Sequence, residues 1–413
     1  MKHIIYFSII LLALSLTTIS CAKKNQNIAE TQSVQNENTN IPVNDSASDN
    51  DQNAEQKSEF TDRKPFIFTI STDMDEGDDE EAGDNIKIPV FVYYVNKEYP
   101  VKFDLDCDSD GVYEFIGLSE IYDSDEDVYN PRLHFCNYKK NSGIHKISVR
   151  GNIPAMQLCS IRCKYCEPDT ITSFLVPVIS IDSWGDIQWK SMHNFASHCP
   201  LVAIPSEAPN LSDVKDMSGT FSFSKFNLPL DNWDVSNVTN MSGMFANAIS
   251  FNQPLDNWDV SRVEKMSEMF AHAKSFNQPL NQWKVSNVTD MSSMFEEADS
   301  FNQPLDNWDV SGVEDMSGMF YNATSFNQPL EKWNVSNVKN MGGMFFEATS
   351  FNQPLDKWNI SNVTNMNGMF GNASSYSHYP KTWIVPKGQS EDMFKGTKVE
   401  KIAKDKPLKI ENR

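Results

Sequence analysis

Positive charge is scarce in this chain: 35 Lys and Arg stand against 56 Asp and Glu, a formal net charge of −21 over 413 residues. So acidic a surface repels phosphate backbones and anionic headgroups, which argues against nucleic-acid binding and against electrostatic attachment to membranes. Long apolar runs are scarce too. The single one, residues 4–16, is too short to span a bilayer, and a mean hydropathy of −0.47 excludes a multi-span membrane protein. The seven His show no H-E-x-x-H or other metal-ligand spacing, and Ser and Asp recur too regularly to single out a hydrolase constellation. No cofactor and no enzymatic activity are expected.

The apolar run follows Lys2 and His3 and precedes Ser20-Cys21, the order of a signal peptide. A small residue before Cys resembles the bacterial lipobox, which implies that residues 1–21 direct export and that Cys21 carries the lipid. Such an anchor holds the chain at the cell surface or outer membrane through acyl chains alone. Residues 22–85 contain 16 acids and 5 bases, with few aromatics, and read as a disordered acidic tether.

From residue 86 to 182, short runs rich in Ile, Val, Tyr and Phe alternate with turn signals such as Asp108-Ser-Asp-Gly111, the pattern of a small β-sandwich. Asp106, Asp108, Asp110 and Gly111 fit the first half of a calcium loop, D-x-D-x-D-G, but position twelve is Gly117 where a bidentate Glu belongs. An Asp-rich turn and a calcium site both remain open. Cys107, Cys136, Cys159, Cys163, Cys166 and Cys199 form an even set, which reads as disulfides in an exported chain. Cys159, Cys163 and Cys166 alone match C-x3-C-x2-C, similar to the iron–sulfur signature of radical S-adenosylmethionine enzymes, and zinc is a further reading.

The most specific signal lies beyond residue 183. Trp recurs at 233, 258, 283, 308, 333, 358 and 383, six successive steps of 25 residues. Met-x-x-Met-Phe recurs in phase from Met241 to Met366, and Phe-Asn-Gln-Pro-Leu from Phe251 to Phe351. A fixed period of this size marks stacked repeats. No unit can bury its own Trp, Met and Phe, so neighbours must share a core. The Asn of Phe-Asn-Gln is expected to satisfy turn amides between units. Within each unit a short strand and one or two helical turns, as over residues 267–273, are expected.

The W-D-V-S-N-V-T-N-M and M-F-x-x-A-x-x-F-N-Q-P-L blocks resemble the repeats of BspA-type leucine-rich-repeat surface proteins. The resemblance implies a leucine-rich-repeat-like solenoid of short parallel strands and short helical turns over residues 183–395, preceded by the β-sandwich and followed by a basic tail, 396–413. It implies adhesion to a host or matrix macromolecule, the role of some members of that family, and offers no catalytic residue to carry over. A coat protein without specific ligand and a Cys-cluster redox enzyme are the alternatives.

Aligning the units against one another separates fixed from variable columns. The residue after Met-Phe reads Ala246, Ala271, Glu296, Tyr321, Phe346 and Gly371, and the next reads Asn247, His272, Glu297, Asn322, Glu347 and Asn372. Tyr321 and Phe346 are therefore expected to form an exposed aromatic pair beside Glu296, Glu297 and Glu347, the composition of a binding hot spot.

Overall fold

The computed structural model describes residues 58–71, 85–93, 101–113, 115–119, 132–139, 143–159 and 178–411. The expected signal segment with Cys21, the expected tether up to residue 57, Cys163 and Cys166 lie outside them. All described residues belong to one compact unit, Lys57–Arg413.

The chain opens with β1 (Phe66–Ser71), β2 (Asn85–Tyr93), β3 (Lys102–Asp106), β4 (Phe115–Ser119), β5 (Arg132–Lys139), β6 (Ile144–Asn152), β7 (Ala155–Gln157) and β8 (Val178–Ser183). These make a five-stranded sheet, β4-β3-β6-β1-β8, and a three-stranded sheet, β5-β2-β7, with antiparallel pairing throughout. β1 corrects the tether assignment. It lies within residues 22–85, yet Phe66, Phe68 and Ile70 alternate onto one buried face and the strand pairs on both sides. Burying three such side chains contributes about 1.5–3 kcal/mol each, which overrides the polar composition around them.

A separate sandwich domain is not formed either. Phe66 meets Trp189 edge-on at 5.5 Å, Trp184 meets Trp233 at 5.6 Å, and Leu158 N–H donates to Phe195 C=O at 2.8 Å. One apolar core thus runs from the sheets into the repeats.

The leucine-rich-repeat-like solenoid is corrected as well. Residues 184–383 contain neither a regular strand nor an α-helix. Parallel pairing there shrinks to single-residue bridges, Asp216 to Asn240 to Lys265 to Asp290 and onward to Asn365. The reason is a run of turns. N–H groups of Met241, Gly243, Phe245 and Asn247 donate sideways to Lys265, Ser267, Met269 and Ala271, at 2.7–3.0 Å. Those of Met244, Ala246 and Ala248 instead close turns on Met241, Gly243 and Phe245. Gly243 (φ 60°) and Asn247 (φ 59°) are left-handed, and an α-helix cannot pass through such residues. The helical turn expected over 267–273 fails for the same reason at Glu268 and His272.

Adjacent units are held by identical contacts. Phe245, Phe270, Phe295, Phe320, Phe345, Phe370 and Phe394 form a file of rings 5.5–5.6 Å apart. A second file runs from Phe251 to Tyr376 at 5.9–6.1 Å. Each Trp from Trp258 to Trp358 donates its indole N–H to the Leu carbonyl of the preceding unit, at 2.9–3.0 Å. The Asn of each Phe-Asn-Gln does bridge units: Asn252 Oδ1 accepts the Asn277 N–H at 2.9 Å and the Gln278 side-chain amide at 3.0 Å. In Trp-Asp-Val-Ser, the Ser261 hydroxyl and N–H donate to Asp259 and hold its carboxyl below the usual range. The basic tail is folded too: β9 (Ile384–Pro386) pairs in parallel with β10 (Lys409–Glu411), and α1 (Glu400–Asp405) lies between them in sequence.

Candidate functional site

The variable columns form one face of the repeats. In the column after Met-Phe, Ala246 and Ala271 are buried while Glu296, Tyr321 and Phe346 are half-buried. Tyr321 and Phe346 stack, with ring centroids 5.0 Å apart and planes 11° from parallel. The expected pair is therefore present, though half-buried instead of exposed. Gly371 makes its seat: a Cβ there would lie 2.7 Å from Cδ2 of Phe346, so any other residue would displace the ring.

The next column looks free in sequence and is constrained in conformation. Asn247, His272, Glu297, Asn322, Glu347 and Asn372 all have φ between 50° and 59°. Asn tolerates this region best among residues with a side chain, which explains its recurrence. The same column begins with His198 (φ 64°) and Phe223 (φ 55°), stacked at 4.8 Å with Phe223 exposed. Sequence reasoning missed this pair because its two members lie in the two irregular units ahead of Met241, before the six units that the Met-x-x-Met-Phe block aligns.

Carboxylates surround Tyr321. Burial pushes its phenol up, and the charges of Glu347, Glu296 and Glu297 push it further. Glu297 pairs with His272 at 3.1 Å and with Lys274 at 4.0 Å, and Lys274 also meets Asp299 at 3.5 Å. Glu347 accepts a hydrogen bond from the Asn372 amide at 3.2 Å. Among the described residues no Lys, Arg or His pairs with Glu296 or Glu347. Glu268, in the preceding unit, has its carboxyl pushed up by partial desolvation and then by Glu296.

The other candidates resolve differently. The carboxylates of Asp106, Asp108 and Asp110 come within 4.8 Å of one another. Asp106 is buried and accepts N–H bonds from Asp108 (3.2 Å), Ser109 (2.6 Å) and Gly111 (3.0 Å). The acidic groups thus build the turn itself, and nothing further marks a calcium site. Cys107 is joined to Cys136 and Cys159 to Cys199. With Cys159 oxidised, the three thiolates of a C-x3-C-x2-C iron–sulfur site are not available. Between the last unit and α1 lies a cavity of about 310 Å³, lined by Tyr379, Val385, Met393, Phe394, Ala403 and Ile410 among others.

Fold and face together define a protein of turn-built 25-residue repeats carrying a half-buried aromatic pair among carboxylates. Residues 190–308 and 299–405 match the family described as "Mycoplasma protein of unknown function, DUF285". The two matches span more than half of the chain, and the chain belongs to that family. No curated protein and no solved structure matches it.

Proposed function

We propose that this protein is a binding module of the bacterial surface, anchored by lipid at Cys21, that offers its repeat face to a macromolecular host or matrix ligand. The observation that carries this reading is the stacked Tyr321–Phe346 pair on adjacent units. Aromatic anchors in a partly desolvated setting, rimmed by polar groups, are where interfaces concentrate their binding energy. The resemblance of the repeats to BspA-type surface proteins supports the same reading. No described helix is long and apolar enough to cross a membrane, and the proposed lipid anchor needs none.

The test uses the full chain against an array of purified matrix proteins and glycans. The Tyr321→Ala/Phe346→Ala double variant is expected to lose capture of whichever component the wild type binds, with an unchanged far-UV spectrum. Equal capture by both proteins sinks the reading. Anchoring is tested separately: Cys21→Ala should move the protein from the membrane to the soluble fraction, and unchanged partitioning refutes the lipid.

A further inference from the structure

We infer that the C-terminal end of the array is a second binding surface, which takes an extended, uncharged peptide segment of a partner protein with a Phe side chain in the cavity beside α1. This surface is separate from the Tyr321 face and does not depend on it.

The sideways ladder of N–H bonds stops at this end. Met366, Gly368, Phe370 and Asn372 donate to the carbonyls of Gln389, Glu391, Met393 and Lys395, so residues 389–396 form the last turn-built coil. In the same register, its own donors are the N–H groups of Ser390, Asp392, Phe394 and Gly396. Asp392 (φ 52°) and Gly396 (φ 74°) repeat the left-handed positions of Gly368 and Asn372, so the coil keeps the backbone path of the units before it. Gly396 donates to Glu400 Oε2 at 2.9 Å. The N–H groups of Ser390, Asp392 and Phe394 have no partner among the described residues. An unpaired row of backbone donors is a template for one more chain, whose carbonyls supply affinity while a pocket reads its side chains.

The cavity of about 310 Å³ lies on that row. Ser390, Asp392, Met393 and Phe394 line it on one side, and Ala403 of α1 and Ile410 of β10 on others. Phe394 ends the ring file that began at Phe245, 5.6 Å beyond Phe370, and it borders the cavity, so the next place in the file falls on the cavity side. The site therefore continues the interface between units, with the same donors and the same rings. What that interface binds is a backbone with carbonyls in register and an apolar ring.

Charge narrows the occupant. Lys395 meets Asp392 at 3.1 Å and Lys404 meets Glu400 at 2.6 Å, so the four charged groups that line the cavity are paired with one another. A charged side chain would leave water there without gaining a free counter-ion. Ile384, Ile402 and Ile410, one on each of the three terminal elements, add exposed apolar surface. A second copy cannot supply the segment from within its array, where from Asp216 onward the carbonyls of each coil already accept from the preceding unit.

The probe is a fluorescein-labelled peptide with the sequence of residues 365–373, Asn-Met-Asn-Gly-Met-Phe-Gly-Asn-Ala, titrated by anisotropy onto the full chain in uncharged detergent. It has no charged side chain and carries the carbonyls that Asn365, Asn367 and Met369 offer in the array. Saturable binding is expected. Replacing the peptide's Phe with Ala should weaken it about tenfold. An ester in place of its Met-Phe amide, which weakens the carbonyl facing the Phe394 N–H, should cost about fivefold. Ala403→Phe fills the cavity from α1 and should abolish binding with an unchanged melting curve, whereas Ile402→Phe, exposed on the same helix and outside the cavity, should leave it intact. The two peptide changes test the site whatever Ala403→Phe does to folding. No saturable binding up to about 1 mM, equal binding by the ester peptide, or binding that survives Ala403→Phe overturns the inference. The Tyr321→Ala/Phe346→Ala variant should bind the peptide as the wild type does, so the two surfaces stand or fall separately; loss of binding there places the peptide on the Tyr321 face and overturns the assignment. A wild type that sediments as a dimer, dispersed by Ala403→Phe, gives the site to a second copy and overturns the partner segment.

Discussion

Tyr376 lies in file with Phe351, ring centroids 6.0 Å apart and planes within 7°, and its buried hydroxyl has no hydrogen-bond partner among the described residues. Every earlier unit of the full array has Phe at this position, and burial pushes the Tyr376 phenol far above its ordinary pKa. An unsatisfied buried hydroxyl costs about 1–3 kcal/mol. Tyr376→Phe is therefore expected to stabilise the protein by about 1–2 kcal/mol, read from urea unfolding. A lower midpoint would show that the hydroxyl has found a partner.

Glu268 (φ 56°) occupies a left-handed position that glycine fills at 243, 318, 343 and 368. Glu268→Gly should gain about 1 kcal/mol by removing this strain. Because the folded-state pKa of Glu268 is raised, the carboxylate also carries a penalty above that pKa, which vanishes once pH falls below the unfolded value. The gain over wild type should thus shrink from pH 7 to pH 4. Ser293→Gly, at φ 53°, should give a similar gain at both pH values, and parallel pH dependence in the two variants would refute the carboxylate contribution.

Trp308 stacks on Trp283 at 6.5 Å and on Trp333 at 6.4 Å, and donates to the Leu280 carbonyl. Trp383 is buried, but its indole N–H has no partner among the described residues. Trp308→Ala should cost about 3–5 kcal/mol and Trp383→Ala distinctly less. Equal shifts in thermal midpoint would contradict the nearest-neighbour account of the repeats.

The Cys159–Cys199 bridge joins the residues just after β7 to the first turns of the array, across a separation of 40 residues. Closing a loop of that length is worth about 4 kcal/mol in the chain-entropy account. Cys159→Ser should lower stability by that order, and reductant should add little further loss from this bridge. Undiminished stability in the variant would place the constraint elsewhere.

The period of 25 residues, the aromatic files and the Asn bridges were legible in the sequence because identical residues at identical spacing can only pack against their own kind. β1 was not, since the polar composition around Phe66, Phe68 and Ile70 hides a strand that only tertiary pairing stabilises. The turns read as helical in the sequence because Met and Ala are good helix formers. The available signal was Gly243 with Asn247, Gly318 with Asn322 and Gly368 with Asn372: two residue types suited to positive φ, four apart. The Tyr321–Phe346 pair was legible by column comparison, but its half-burial depends on the glycine at 371, whose role appears only once the units lie side by side.

The sideways hydrogen bonds have a consequence for how such a chain changes. Each unit donates to its successor's carbonyls the same N–H groups that its own carbonyls accept from its predecessor, so the junction between units does not depend on which two are joined. Deleting residues 276–300 would connect Ser275 to Phe301, restoring the Ser-Phe step that stood there before. Unequal crossing-over within the coding sequence can then add or remove whole units without creating a new interface. Each such event between the N-terminal sheets and Tyr321 would carry Tyr321 and Phe346 nearer to or farther from the sheets by one ring spacing, 5.5–5.6 Å. Reach, in this protein, would be inherited in discrete increments while the aromatic pair stays unchanged.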